Sequence, residues 1–484
     1  MSLKIKLDPS SGVLLKQQLC DELRDAVLTR RIEPGMRLPP SRQLSEVLQI
    51  SRSTVTEAYE QLLTEGYLES RGRNGTFVSP EIPRPLSEKN SRGKTTKSWE
   101  NRRISAFGEQ LLECPMRGRD ANEYDICFYP WRPAFDQFPI EQWSRVLGRC
   151  ARRVEREALD YATDPLGLPA LREAIAGYLA RARGITCHPD QVIVLSGYQQ
   201  ALDLVARIHL RERERAVVEN PGYVWSRYVL SAAGATVVTV PLDDDGMIIE
   251  RLPEVSARLI CVSPSHQYPT GTCLPLPRRL ALLNWAAKRN ALILEDEHDS
   301  EFRYDGKMIP ALKSLDEQGR VIYSGTFAKV LFPGLAAGYL VLPEDLVEYY
   351  ARARVLTGEQ IPYLLQEALA QFIRDNLLDR HIARMKDVYK ERKRALLDAL
   401  ASTFAERASV TSTDAGMHLL VQFDTRMNSQ EITAAAASKG IGLISTAPCY
   451  FGKAKPREFV LGYGDLSERQ LREGVKRLAA VIRK

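Results

Sequence analysis

The chain has 484 residues, of which 44% are hydrophobic and 26% are charged. Such a composition is typical of a globular protein with about two to four domains, and it excludes the fibrous, collagen-like and wholly disordered classes. The formal net charge of +6 is too small to establish nucleic-acid binding by itself. The position of the charge along the chain is therefore more informative than its sum.

The cysteines and apolar runs indicate where the protein works. Eight cysteines are scattered without a CxxC pair, which argues against a zinc cluster or a disulfide framework and predicts a reducing, cytoplasmic location. No apolar run approaches the roughly 20 residues that a membrane-spanning helix needs, and the first ten residues contain no apolar signal region. We expect no membrane association.

Residues 1–79 show the pattern of three short helices followed by a hairpin. Apolar residues recur at helical spacing from Leu15 to Val27, and Ser41 and Ser51 are candidate caps of a second and a third helix. Asn74-Gly75 is a hairpin turn signal between two alternating segments. This arrangement predicts an α+β winged helix-turn-helix domain.

Candidate DNA-contacting residues begin the second and third helices and precede the hairpin turn. Arginine can pair with guanine, serine and threonine can reach bases or phosphates, and cations in a wing suit the DNA backbone or minor groove. The predicted set is Arg42, Ser51, Arg52, Ser53, Thr54, Arg71, Gly72 and Arg73. A protein-interaction module is the alternative, because basic and acidic residues nearly balance in this region.

Residues 80–120 differ in character from the sequence on either side. They are rich in Pro, Ser and Lys/Arg and have no apolar period, which predicts a flexible basic linker. The linker either acts as a solvated tether or touches DNA phosphates.

Residues 121–484 alternate short apolar strands with helical stretches, which predicts an α/β domain with a mostly parallel sheet. The part after about residue 346 is helix-rich and contains further strands, which suggests a smaller α+β lobe.

Three features of this domain indicate one kind of chemistry. Lys329 follows a strand and a turn of small residues, where it could form an imine with an aldehyde cofactor. Asp296, at the end of another strand, is suited to keep a pyridine nitrogen protonated. A helix that begins near Tyr198, after Ser196-Gly197, offers backbone N–H groups to a phosphate.

Two known families match these patterns. The stretch RLPPSRQLSEVLQISRSTVTEAYEQLLTEGYLESRGRNGTFV resembles the winged helix-turn-helix of the GntR family of bacterial transcription regulators. The later stretches resemble fold-type I pyridoxal phosphate (PLP) enzymes, the aspartate aminotransferase superfamily, in DYATDPLGLPALREAIAGYLARARGI, VENPGY, SPSHQYPTG and EDEHDSEFRY. Over almost the whole chain, the combination resembles the MocR subfamily of regulators.

The MocR resemblance implies a cytoplasmic homodimer that binds a double-stranded DNA operator, PLP and a small-molecule effector. By this resemblance Lys329 would bind PLP covalently, Asp296 would pair with its pyridine nitrogen, and Tyr223 would lie beside its ring. His298 stands where many relatives have a tyrosine that donates to the 3-oxygen. The remaining implied cofactor residues are Ser196, Gly197, Tyr198 and Thr326 at the phosphate, and Gln267 in the pocket.

The chain departs from the family at three further positions. A phosphate-clamping arginine of relatives is Ala336 here, and two carboxylate-binding arginines would fall near Val460 and Trp225. These departures argue against an efficient transaminase and against an effector held by two arginines. The dispersed histidines lack metal-ligand spacing, so no metal is predicted; among them, His266 is the most notable because it precedes Gln267.

We therefore expect a DNA-binding regulator whose effector is PLP itself, an amine or an amino acid. Two alternatives stay open. One is a PLP-dependent aminotransferase with an accessory DNA-binding domain. The other is a DNA-binding repressor whose C-terminal domain holds no cofactor.

Overall fold

The protein is described by a computed structural model. The described residues are 5–81, 104–114, 121–160, 164–252, 256–304, 309–358, 361–411 and 415–482. Two compact units are distinguished, Met1–Arg103 and Ile104–Lys484. Most of the predicted linker, residues 82–103 and 115–120, lies outside the described residues, so the flexibility expected of it stays a prediction.

The N-terminal unit consists of three helices and a two-stranded hairpin. Its elements are α1 (Leu15–Leu28), α2 (Ser41–Leu48), α3 (Arg52–Thr64), β1 (Leu68–Ser70) and β2 (Thr76–Val78). Leu19 and Leu23 of α1 pack with Val55 and Leu62 of α3 in a buried core. This order of elements confirms the predicted α+β winged helix-turn-helix fold.

Of the two predicted helix caps, one is confirmed and the other is wrong. Ser51 caps α3, because its Oγ accepts a hydrogen bond from the Thr54 amide at 3.1 Å. Ser41 does not cap α2, and this prediction was wrong: Pro40 occupies the N-cap without a side-chain hydrogen bond, and Ser41 is the first helical residue. A proline at position 40 has the extended φ and ψ that an N-cap requires.

The hairpin turns where Asn74-Gly75 predicted it. Strand β1 pairs with β2 in antiparallel register, with Leu68 opposite Val78. The Arg71 amide donates to the Gly75 carbonyl at 3.0 Å, which closes the turn. Gly75 has φ of 100°, a left-handed conformation that favours glycine.

The larger unit alternates helices and strands. Its helices are α4 (Ala106–Leu111), α5 (Ile140–Arg152), α6 (Pro169–Arg183), α7 (Tyr198–His209), α8 (Val224–Ala232), α9 (Leu276–Arg289), α10 (Val347–Thr357), α11 (Tyr363–Arg374), α12 (Leu377–Phe404), α13 (Ser429–Ala437) and α14 (Glu468–Val481). Helix α4 lies inside the segment 80–120 that was predicted as linker, and it is part of the larger unit.

The strands of the larger unit build one large sheet and two smaller ones. They are β3 (Ile126–Cys127), β4 (Val192–Leu195), β5 (Arg215–Asn220), β6 (Thr236–Asp243), β7 (Gly246–Met247), β8 (Leu259–Val262), β9 (Leu292–Glu297), β10 (Val321–Thr326), β11 (Gly338–Val341), β12 (Ala408–Thr411), β13 (His418–Phe423), β14 (Ile441–Gly442), β15 (Ile444–Ser445) and β16 (Glu458–Gly462).

The large sheet has the order β4-β11-β10-β9-β8-β5-β6-β7. Strands β5, β6, β8, β9 and β10 are parallel, and β11 is antiparallel to both of its neighbours, β4 and β10. The carboxyl ends of β4, β5, β8, β9 and β10 therefore share one edge of the sheet. In open α/β sheets this edge is where ligands bind.

Both faces of the large sheet are covered. Successive residues of β4 alternate between two buried clusters: Ile193 and Leu195 join the cluster that contains α7, and Val192 and Val194 join another. This burial on both faces explains why the strands read as continuous apolar runs. The predicted smaller lobe is also present, as an antiparallel sheet in the order β12-β13-β16-β15. Across the described residues, every helix is too short or too polar to cross a bilayer.

The Ser51 cap gives a prediction about the stability of α3. Replacing Ser51 by Ala removes the acceptor of the Thr54 amide, and we expect α3 to open more easily by about 1 kcal/mol. Ser51→Gly should cost only a few tenths of a kcal/mol, because glycine tolerates the N-cap conformation. Hydrogen exchange of the α3 amides in the full-length protein measures both. Equal exchange in Ser51→Ala and in the neighbouring variant Ser53→Ala would contradict the assigned cap.

Candidate cofactor site and DNA-binding surface

The candidate cofactor site lies at the carboxyl edge of the large sheet. Asp296 is in β9, opposite Ser324 of the parallel strand β10, and Lys329 follows β10 by three residues. Burial lowers the pKa of the Lys329 amine to about 8, against the opposing effect of the nearby Asp299 and Asp296 carboxyls. The structure thus brings the predicted lysine and aspartate close enough for their charges to interact.

Asp296 is in an environment that disfavours its charge. Burial raises the pKa of its carboxyl well above the ordinary value, and the neighbouring Glu297, Glu219 and Asp299 raise it further. Lys329 opposes this effect. A carboxyl in such surroundings is best stabilised by a cationic partner, which a protonated pyridine nitrogen would supply.

Helix α7 begins at this edge, directly after β4. Its N-cap is Gly197, with no side-chain cap, so the first backbone N–H groups of α7 lack a capping side chain. A phosphate is a suitable partner for such groups. Ser196 is exposed, but its amide and hydroxyl both donate to Gln200 Oε1, at 2.8 and 3.0 Å, so a phosphate would compete with that amide side chain.

The end of β10 also faces this edge. Thr326 Oγ1 accepts from the Ala328 amide at 3.2 Å, which leaves its hydroxyl hydrogen available for an anion. The backbones are closely packed here: a Cβ atom on Gly338 would lie 2.8 Å from the Gly325 carbonyl oxygen and 3.2 Å from Gly197 Cα. Ala336, in place of the family arginine, is exposed and adds no charge.

Tyrosines occupy the side of the site next to α7 and α8. The rings of Tyr198 and Tyr223 meet edge-to-face with centroids 5.9 Å apart, and Tyr223 meets Tyr268 at 6.2 Å. The Tyr198 hydroxyl lies 3.5 Å from Ser226 Oγ. The structure therefore places Tyr223 among the predicted residues, together with Tyr268, which the sequence did not single out.

A histidine–aspartate network lies next to Asp296. His266 Nδ1 is 2.7 Å from Asp299 Oδ1, and both side chains are buried. His298 Nε2 lies 3.4 Å from the same oxygen and, among the described residues, makes no hydrogen bond. Burial lowers the pKa of His298, so a neutral imidazole is favoured there. Such a ring can donate one hydrogen bond to a cofactor oxygen.

His418 of β13 packs against this network through a ring contact with His266. Its Nε2 donates to the Pro269 carbonyl at 3.2 Å, and its ring centroid is 5.0 Å from that of His266. His266, Asp299 and His418 each offer a ligand atom, all within 4.8 Å of one another. Within this cluster, His266 and Asp299 are hydrogen-bonded to each other, whereas His418 donates to the Pro269 carbonyl.

Gln267 and Glu219 make hydrogen bonds to backbone groups of the loops around the site. The Gln267 amide donates to the carbonyls of Pro221 (2.9 Å) and Tyr268 (2.7 Å) and accepts from Thr270. Its side chain thus joins two loops at the carboxyl edge and is buried. Glu219 accepts from the Ser263 amide at 3.2 Å, and burial raises the pKa of its carboxyl to about 8.

Sequence reasoning missed Asp299, Glu219, Tyr268 and the role of His418. Asp299 follows Asp296 by three residues and Glu219 precedes Tyr223 by four, so each was visible as a polar residue beside a predicted site residue. The sequence alone gave no signal for His418, because it comes from a strand of the smaller lobe.

The start of α3 forms a cluster of exposed polar groups. Ser51 Oγ lies 2.7 Å from Ser53 Oγ and 2.8 Å from Thr54 Oγ1, and Arg52 is exposed beside them. The structure thus brings these four predicted residues together at the helix N-terminus, where anions and base edges are contacted. Arg42 is also exposed, 3.4 Å from Glu46.

The two arginines of the hairpin differ in their contacts. The Arg71 guanidinium is held by Glu69 at 2.5 Å and lies over the Phe77 ring at 4.5 Å. Arg73, within the turn that starts at Gly72, is exposed. Arg37, which the sequence analysis did not include, lies beside the turn: its Nε is 3.0 Å from where a Gly75 Cβ would be.

Comparison with known proteins assigns each of the two units to a family. Residues 15–78 match the family "Bacterial regulatory proteins, gntR family", and residues 137–478 match the family "Aminotransferase class I and II". A solved kynurenine aminotransferase of Pyrococcus horikoshii superposes with a TM-score of 0.69 at 27% identity, covering 80% of this chain and 96% of that one. Proteins of the aminotransferase family typically bind PLP.

Curated relatives match the full length. The probable rhizopine catabolism regulatory protein MocR of Rhizobium meliloti is 36% identical, over 98% of this chain and 95% of the relative. The pyridoxine biosynthesis transcriptional regulator PdxR of Corynebacterium glutamicum is 30% identical, over 97% and 96%. The chain therefore belongs to the MocR-type transcriptional regulators, which join a gntR-family DNA-binding domain to an aminotransferase class I and II domain.

Proposed function

We propose that this transcriptional regulator binds PLP covalently at Lys329 and uses the PLP-bound domain to sense a small-molecule effector. One observation carries the proposal: the partly buried Lys329 amine, with a pKa of about 8, shares the carboxyl edge of the sheet with Asp296. At neutral pH such an amine is unprotonated far more often than a surface lysine, and an unprotonated amine is the form that attacks an aldehyde.

The chain's own residues would divide the work as follows. Lys329 would bind the aldehyde carbon, Asp296 would hold a proton on the pyridine nitrogen, and the N-terminus of α7 with Thr326 would bind the phosphate. His298, which lies next to Asp299, would donate a hydrogen bond to the cofactor's 3-oxygen. When bound, PLP supplies an electron sink and a reactive carbonyl carbon. Asp299 fixes the charge balance, because its carboxylate acts on both Lys329 and His298.

The effector would act by binding one conformation of the regulator better than another. A ligand changes DNA affinity only through such a difference, and DNA must change ligand affinity by the same factor. A homodimer would place two winged helices on two half-sites of an operator. The name of the Corynebacterium relative concerns pyridoxine biosynthesis, which makes PLP itself one candidate effector here.

Replacing Lys329 by Ala should abolish covalent PLP binding. The full-length protein is incubated with PLP, reduced with borohydride and digested, and mass spectrometry locates the pyridoxyl adduct. We expect the adduct on Lys329 in the parent protein and none at this position in Lys329→Ala. Lys313→Ala is the matched control, because Lys313 is another partly buried lysine of this domain, and its Nζ donates to the Val321 carbonyl at 2.7 Å.

An adduct confined to other lysines would overturn covalent sensing. Sustained turnover of amino acids by the PLP-bound protein would instead support an aminotransferase with an accessory DNA-binding domain.

The pH dependence of PLP attachment tests the environment of Lys329. The attachment rate should rise as the pH increases through about 8, because the amine then loses its proton. Asp299→Asn removes a negative charge that raises the Lys329 pKa, so the midpoint should move to lower pH. Stopped-flow absorbance at a series of pH values measures both midpoints. Glu348→Gln, a surface charge on α10, is the control. A midpoint that Asp299→Asn leaves unchanged would contradict the assigned electrostatics.

DNA recognition is tested at the start of α3. Arg52→Ala should weaken operator binding by roughly 1–3 kcal/mol if the guanidinium pairs with a base. Arg42→Ala should lower affinity for all sequences and reduce the slope of log affinity against log salt concentration by about 1, as for the loss of a phosphate contact. Fluorescence anisotropy on a footprinted operator measures both. Arg352→Ala, which removes an exposed arginine from α10, is the control; equal loss in that variant would argue against specific contacts.

A further inference from the structure

One wall of the cofactor site is a continuous row of aromatic rings. From Tyr198 the contacts run to Tyr223, then to Tyr268 and to His418, with successive centroid distances of 5.9, 6.2 and 5.6 Å. From His418 they continue over His266 to His298, at 5.0 and 5.8 Å. We call these six residues the aromatic arc. Each end of the arc lies near an acidic group: Asp296 acts on Tyr198, and Asp299 lies 3.4 Å from His298.

The charged group that faces the aromatic arc is the Asp299 carboxylate, because the pKa of Asp299 is lowered by the neighbouring histidines, whereas burial raises the pKa of Asp296 and of Glu219. Asp299 contacts His266 and His298, and Asp296 acts on Tyr198. Glu219 lies close enough to Asp296 to raise the pKa of its carboxyl. The nearby cation is Lys329, which would be neutralised by covalent attachment to an aldehyde.

Within the described part of the chain, the groups that shift the pKa values of Lys329, His298 and His418 most strongly do not include an arginine. The buried Arg183 already has partners within the protein: its guanidinium pairs with Glu297 and donates to Ser265 Oγ. On the smaller lobe, Val460 of β16 is buried opposite Leu420 and offers no charge to a ligand. A ligand carboxylate beside His266 or His298 would therefore be repelled by the Asp299 carboxylate.

An ammonium group would be stabilised by the same surroundings. Aromatic faces attract cations, and the attraction is larger where water is excluded. The ionised Asp299 carboxylate adds a Coulombic attraction that is stronger in a buried site than in water. The imidazole of His418 does not compete, because burial lowers its pKa to about 3 and keeps it neutral.

We infer that the effector of this regulator is an amine without a carboxylate, bound along the aromatic arc next to the PLP-bound Lys329. This inference rests on the proposed function, since it assumes that PLP occupies the neighbouring site. It narrows the effector to one chemical class and excludes α-amino acids.

Pairs of compounds that differ by one carboxylate test the inference. The full-length protein is loaded with PLP and desalted, and calorimetry then compares histamine with histidine, tyramine with tyrosine, and cadaverine with lysine. We expect at least one amine to bind about tenfold or more tightly than its amino acid, which corresponds to one order of magnitude in Kd. Binding of the amino acid as tight as that of its amine in every pair, or no binding of any of the six compounds, would overturn the inference.

A pair of variants at Tyr268 distinguishes the loss of the aromatic ring from a loss of folding. Tyr268→Phe keeps the aromatic face and should keep the affinity for the bound amine, whereas Tyr268→Leu should weaken it about tenfold. Tyr349→Leu, an exposed position on α10, is the matched control for a tyrosine-to-leucine change. Equal affinity in Tyr268→Leu and Tyr268→Phe would contradict a cation–aromatic contact.

The two proposals fail in different ways. Absence of the Lys329 adduct, read by mass spectrometry, contradicts PLP binding and removes the basis of both. A normal adduct combined with a preference for amino acids contradicts the amine inference alone and leaves PLP binding intact.

Discussion

The site depends on how Lys329 is buried among carboxyls. Desolvation disfavours the charged amine, while Asp299 and Asp296 favour it, and the pKa of about 8 is the balance of the two. If the amine were exposed, it would stay protonated at neutral pH; with closer carboxylates it would be held in a fixed ion pair. The parallel pairing of β9 and β10 creates this balance, because it places both acids and the lysine at one edge of the sheet.

The site proposed for PLP would suit a sensor. Ala336 adds no charge there, so a phosphate would be held by the N-terminus of α7 and by hydroxyl groups. His298 offers a neutral imidazole where relatives have a phenol, and Asp299 lies 3.4 Å from it. A weaker grip on the phosphate would let occupancy follow the cellular supply of the ligand, which is what a regulator requires.

Local sequence signals were reliable where one short segment decides the structure. The Ser51 cap, the turn at Asn74-Gly75 and the order of the winged-helix elements follow from residues within a few positions of one another. The Ser41 cap failed for an equally local reason, since Pro40 already has the N-cap conformation. Arg71 shows what such reasoning leaves out, because only the structure places Glu69 and the Phe77 ring against its side chain; its contact with DNA stays a prediction.

The sequence by itself determined the two folds, the placement of Lys329 and Asp296 near the ends of two strands and the helix N-terminus after Gly197, because a strand or turn motif and its order along the chain encode each of them. Only the tertiary structure decided what surrounds them. His418 and Tyr268 approach His266 from separate loops and strands, and Gln267 turns out to join two loops. The physical reason is that burial and charge depend on neighbours that are distant in sequence, and no periodicity or spacing encodes those distances.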